Sequence, residues 1–180
     1  MTRAAVLLLL LAALPACTAR APRDDAAADV PRTGGGLYAS ARGLVSVVGS
    51  EPATAVLLTA EGHAPVALVG EQATLLRAVA GLEVEVTGYP AGGATVPAAP
   101  PGTDVVDVLR FTVVAHEGVA AVDGTIERDG GTFYLRLADG RRVATPALPP
   151  LLRDRVGARV YLAGPLDAPP RAWGIIRAER

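Results

Sequence analysis

Gly81-Leu82-Glu83-Val84-Glu85-Val86-Thr87-Gly88 is matched further along the chain by a second stretch of the same pattern, Gly157-Ala158-Arg159-Val160-Tyr161-Leu162-Ala163-Gly164. In each, apolar residues alternate with polar or interfacial ones between two glycines, the period-2 signature of a half-buried strand closed by turns. Leu82, Val84 and Val86 are expected to face a core in the first copy, and Ala158, Val160 and Leu162 in the second. Two copies of one strand imply two copies of one structural unit.

The chain has 180 residues, 51% of them hydrophobic, enough for one medium domain or two small ones. The internal repeat favours two. With 20 Gly and 15 Pro but only 19% charged residues, the composition suits short strands and turns better than long helices. The formal charge of −1 supplies no general attraction to nucleic acid. The distribution is uneven: residues 37–117 carry three Arg and eight acids, residues 118–180 ten Arg and seven acids. The second half is the basic one, so the halves attract each other or are separately solvated, or the second half meets an anionic partner.

Read in order, the first unit (37–117) gives strands at 42–48, 55–59 and 65–69 and a helical stretch at 71–80 stopped by Gly81 as a C-cap. Strands at 82–89 and 105–114 follow, separated by a Pro/Gly/Ala-rich loop. The second unit (118–180) repeats the order with tighter loops, at 119–127, 132–138, 142–145, a helical or turn segment at 148–156, then 158–163 and 171–177. Gly124 stands where Gly43 stands in the first unit, and Asp129-Gly130-Gly131 and Asp139-Gly140 are hairpin signals. The order β-β-β-α-β-β resembles the OB-fold, a small five-stranded Greek-key barrel. The resemblance implies a mainly β chain of tandem five-stranded barrels, each with one short helix; a single mixed β-sandwich is the competing architecture. The stretch 111–122 has too few breakers for a free linker, so the two units are expected to pack together.

Ahead of the repeats, Met1-Thr2-Arg3 is a basic start, Ala4 to Ala13 an apolar run, and Leu14-Pro15-Ala16-Cys17 closes it. The run is shorter than the ~20 apolar residues a spanning helix needs. Its ending resembles the lipobox of bacterial lipoproteins. That resemblance implies a signal peptide over 1–16, acylation of Cys17 as the new N-terminus and a lipid anchor in the cell envelope. Thr18 rather than Asp after the Cys implies, by the same family's habit, the outer membrane of a two-membrane bacterium. An ordinary secretory signal, with Cys17 incidental, is the alternative. Residues 17–36, with Pro22, Pro31 and Gly34-Gly35-Gly36 and few large apolar residues, read as a flexible tether.

The inventory for chemistry is short. His63 lies beside the Glu61-Gly62 turn and His116 at the junction of the units, each read as structural. No zinc-type ligand set, phosphate loop or nucleophile elbow occurs. No catalytic residue, metal or cofactor is expected; a hydrolase built on His63 or His116 is the remote rival. Binding is the commoner use of an OB-like barrel, on the outward face of its second and third strands. In the first unit that face is expected to be apolar, through Val56 and Leu58, and to meet the second unit or a partner protein. In the second unit Tyr134, Arg136, Arg141, Arg142, Arg159 and Tyr161 are expected outward, with Trp173 on the last strand. The sequence thus leads to a lipid-anchored, non-catalytic binding or scaffolding module of the cell envelope. Recognition of an anionic polymer, a glycan or less readily single-stranded nucleic acid, by the second unit is the alternative.

Overall fold

The computed structural model describes residues 39–179. The expected signal peptide over 1–16, Cys17 and the expected tether over 17–36 lie outside the described residues. The first unit comprises β1 (Ala39–Ser50), β2 (Ala53–Thr59), β3 (Val66–Val69), helix α1 (Glu71–Leu76) running into a 3-10 turn (Arg77–Val79), β4 (Leu82–Pro90) and β5 (Asp104–His116). β1 pairs antiparallel with both β2 and β4, β2 with β3, and β4 with β5. A parallel pairing of β3 with β5, Val66 opposite Asp104 through Val69 opposite Asp107, closes the ring into a five-stranded barrel. That pairing order is consistent with the OB-fold the sequence resembles.

Alternation sets the barrel core as expected. Leu82, Val84 and Val86 are buried, as are Val45 on β1 and Val106 and Val108 on β5. Leu76 and Val79, both fully buried, come from the helix and its 3-10 extension. Gly81 ends that segment at φ 87°, where its N–H donates to the Val45 carbonyl.

β5 turns directly into β6 (Val119–Asp129) through Glu117 and Gly118, both at positive φ, the geometry of a two-residue hairpin turn. The second unit continues with β7 (Thr132–Arg136), β8 (Arg142–Ala144), the short helix α2 (Pro150–Arg153), β9 (Arg159–Ala163) and β10 (Ala172–Arg177). Its pairings repeat the antiparallel ones of the first unit: β6 with β7 and β9, β7 with β8, and β9 with β10. The fifth is missing. No pairing joins β8 to β10 among the described residues, so the expected second closed barrel is an open sheet. The reason lies in 165–171, which leads into β10 as 104–107 leads β5 past β3. Pro165, Pro169 and Pro170 stand there, and proline has no N–H to give a ladder. Leu148, Leu152, Leu166 and Trp173 fill the second core, around Ile126, Leu135, Val160 and Leu162.

The first strands of the two units match at their bend. Gly43 on β1 sits opposite Val84 on β4, and Gly124 on β6 opposite Val160 on β9. A Cβ on either glycine would meet the backbone of the neighbouring strand, 2.5 Å from the Thr59 oxygen or 2.8 Å from the Arg136 oxygen. Both strands therefore need glycine where they bend across the sheet.

Two expected orientations are corrected. Val56 and Leu58 point into the barrel core, not outward. The outward residues of β2 are Ala55 and Leu57, which with Ala67 of β3 lie buried beneath the loop 91–103, against Val96 and Ala99. Because β2 is apolar on both faces, Ala55-Val56-Leu57-Leu58 has no alternation from which the inner face could be read. Tyr161 does point away from the second core, yet it is only 9% exposed, because that side of β9 is packed on the first unit.

Candidate functional site

The outward residues of the second unit fall into three groups. Tyr134 and Arg136 on β7 and Arg142 on β8 share the solvent face of the sheet. Glu127 of β6 is opposite Tyr134, and Arg136 is opposite Arg142. The Arg142 guanidinium stacks on the Tyr134 ring, 4.4 Å from its centroid. Glu127 accepts from Arg136 Nε at 2.6 Å and lies 2.9 Å from Arg142 Nε; Asp129 stands 3.8 Å from Arg142. Two cations and two carboxylates leave this face close to neutral. Arg141 is set apart at the β7–β8 turn, where its own N–H and its Nε both donate to Asp139. Those two donors hold the Asp139 carboxyl below its ordinary pKa.

Arg159 and Tyr161 do not belong to the open face: they form the joint between the units. Arg159 donates from Nε to Asp123 Oδ2 at 2.7 Å and from Nη2 to the Phe111 carbonyl at 2.6 Å, with its guanidinium 4.3 Å above the Phe111 ring. Asp123 Oδ1 accepts the Val113 N–H at 2.8 Å. One buried carboxylate and one largely buried guanidinium thus tie β6 and β9 of the second unit to β5 of the first. Tyr161 packs edge-on to His116, ring centroids 6.0 Å apart, and burial raises its phenol above the ordinary pKa. Nothing in the sequence pattern marks Asp123 as the partner of Arg159; only the register of β6 against β9 brings them together.

Two clefts lie nearby. One, of about 360 Å3, runs between the outer face of β4 and β5 and the β7–β8 turn. The other, of about 700 Å3, opens at the end of the first barrel, between Arg42, Leu44, Glu61, Glu83 and Glu117. His63 lines the second cleft, its Nδ1 2.9 Å from the Glu61 carbonyl. No group of three or more His, Cys, Asp or Glu side chains suited to a metal ion, and no helix long and apolar enough to cross a membrane, occurs among the described residues. In class the described chain is mainly β, a closed five-stranded barrel joined to an open sheet of the same strand order. No protein-family model, curated protein or solved structure matches it.

Proposed function

We propose that the protein is a lipid-anchored binding module of the cell envelope, made of two OB-type units of which the second takes the ligand. Anchoring through Cys17, and delivery to the outer membrane of a two-membrane bacterium, rest on the sequence before the described residues. The observation that carries the binding reading is a contrast between equivalent faces. On the first unit, Leu57 and Ala67 are sealed beneath the chain's own loop; on the second, the equivalent Ala144 is exposed and Tyr134 is partly exposed beneath the Arg142 guanidinium. The near-neutral charge of that open face favours a protein surface or an uncharged glycan over an anionic polymer. No catalytic role is assigned.

The test is a titration of the full chain, purified in detergent, against neutral glycans, anionic glycans and single-stranded DNA at low and moderate salt. A neutral-glycan signal that is insensitive to salt and lost in Tyr134→Ala supports the reading. A steeply salt-dependent affinity that falls in Arg136→Ala would transfer the function to anionic polymers. The anchor is tested separately: Cys17→Ser should release the protein from the membrane fraction, and full retention of that variant would remove the anchor.

A further inference from the structure

The smaller cleft carries chemistry that neither the open face nor the joint uses. One wall is the outer face of β4 and β5, with Glu85 opposite Thr112 and Thr87 opposite Arg110. The other wall is made by Ala121 and Val122 of β6 and by Leu137 at the end of the β7 hairpin. The remaining charges on the cleft are already matched. Asp123 is held by Arg159 and the Val113 N–H, and Asp139 by Arg141. Arg110 has no ion pair or hydrogen bond among the described residues, although both clefts' other arginines, Arg42 and Arg141, are paired. Glu85 accepts from the Ser40 hydroxyl at 3.3 Å and stands opposite Arg42 on β1, whose guanidinium hydrogen-bonds to Glu83 and feels the Glu85 charge only through space.

The register places Glu85 and Arg110 as diagonal neighbours on adjacent antiparallel strands, a spacing of roughly 7–8 Å between backbones that long side chains can bridge. They form no ion pair. A carboxylate and a guanidinium thus stand on one wall with no ion pair between them, with two threonine hydroxyls beside them and apolar side chains opposite. A free guanidinium is a forked receptor for a carboxylate, and a carboxylate that no cation hydrogen-bonds takes an ammonium group. The cleft volume is at the lower end of the ~300–1,000 Å3 usual for small-molecule sites.

We propose that this cleft binds a small zwitterion of dipeptide size, its carboxylate on Arg110, its ammonium on Glu85 and an apolar side chain against Val122 and Leu137. The site is separate from the open face of β6, β7 and β8, so neither proposal depends on the other. Calorimetric titration of the full chain in detergent with the dipeptide alanyl-valine, its N-acetyl form and its C-terminal amide tests it. The free dipeptide should bind, and each capped form should bind at least about tenfold more weakly. Arg110→Gln should weaken the free dipeptide and erase the distinction from the amide, whereas Glu85→Gln should erase the distinction from the acetylated form. Arg128→Gln, which removes an exposed guanidinium outside the cleft that has no ion pair among the described residues, should change nothing. Three results would overturn the proposal: no binding of the free dipeptide at millimolar concentration, equal binding of the capped forms, or dependence on Arg110 alone, which would leave a simple anion site.

Discussion

The same cross-strand ion pair occurs in both halves of the molecule with its charges reversed and its surroundings changed. Arg42 on β1 reaches Glu83 on β4 at 2.7 Å in the first unit; Asp123 on β6 and Arg159 on β9 occupy the equivalent register in the second. The first pair lies in solvent, with side chains 57% and 37% exposed, while the second is closed over at 3% and 16%. The Glu83 hydrogen bond still raises the Arg42 pKa. One backbone geometry has thus produced a surface contact in one copy and a joint in the other. Burial decides which, because water screens the first pair while the second must satisfy every donor and acceptor internally.

The largest effect is expected where that comparison is broken at its buried member. Asp123→Ala leaves the Arg159 guanidinium and the Val113 N–H without their acceptor, and should cost about 3–5 kcal/mol in urea unfolding. A loss as small as that of a surface pair would mean the joint is wetter than its burial indicates. Next comes the contrast between equivalent positions on the two faces. Leu57→Ala should cost about 2–5 kcal/mol because the loop 91–103 closes over it. Tyr134→Ala, which removes a half-exposed ring stacked on Arg142, should cost about 0.5–1 kcal/mol. Similar losses at both positions would show that the second face is also covered.

The paired glycines sharpen the contrast between closed and open sheets. Gly43→Ala must move strands that are held in a ring and should cost about 1–3 kcal/mol. Gly124→Ala, with the looser contact and an open sheet to absorb it, should cost less; the reverse order would deny that closure makes the first unit the stiffer. Smallest of all is Arg42→Ala, expected within about 1 kcal/mol of the parent and less still at high salt.

Much of this fold was legible from period alone. The alternation at 82–86 and 158–162 fixed which side chains face each core, and Gly124 was found from its match to Gly43. The turns at 129–131 and 139–140 bound β7 and β8 as their Gly content implied. Where reading by period failed, a second apolar surface was present. On β2 both faces are buried, so Val56 and Leu58 could not be told from Ala55 and Leu57. On β9, Tyr161 points away from its own core into that of its neighbour, and alternation says which face a residue is on but not what covers that face. Closure was a different kind of failure. It depends on whether the segment before the last strand has N–H groups to offer, and the three prolines at 165–170 carried that information without a strand pattern to attach it to. Of the candidate site, Tyr134, Arg136 and Arg142 converge as the alternation of β7 implied. The partners Glu127 and Asp129 that neutralise them come from β6 and depend on register.

One copy covers the outer face of its second and third strands with its own loop, and in the proposed function the other keeps the equivalent face open for a partner. Hydroxyl-radical footprinting of the full chain, purified in detergent and again in the native envelope, tests this at Leu57 and Tyr134 together. Low reactivity is expected at Leu57 in both settings, and at Tyr134 a reactivity that is high in the purified protein and strongly reduced in the envelope. Equal reactivity of Tyr134 in both settings, or protection that changes at Leu57 instead, would contradict it.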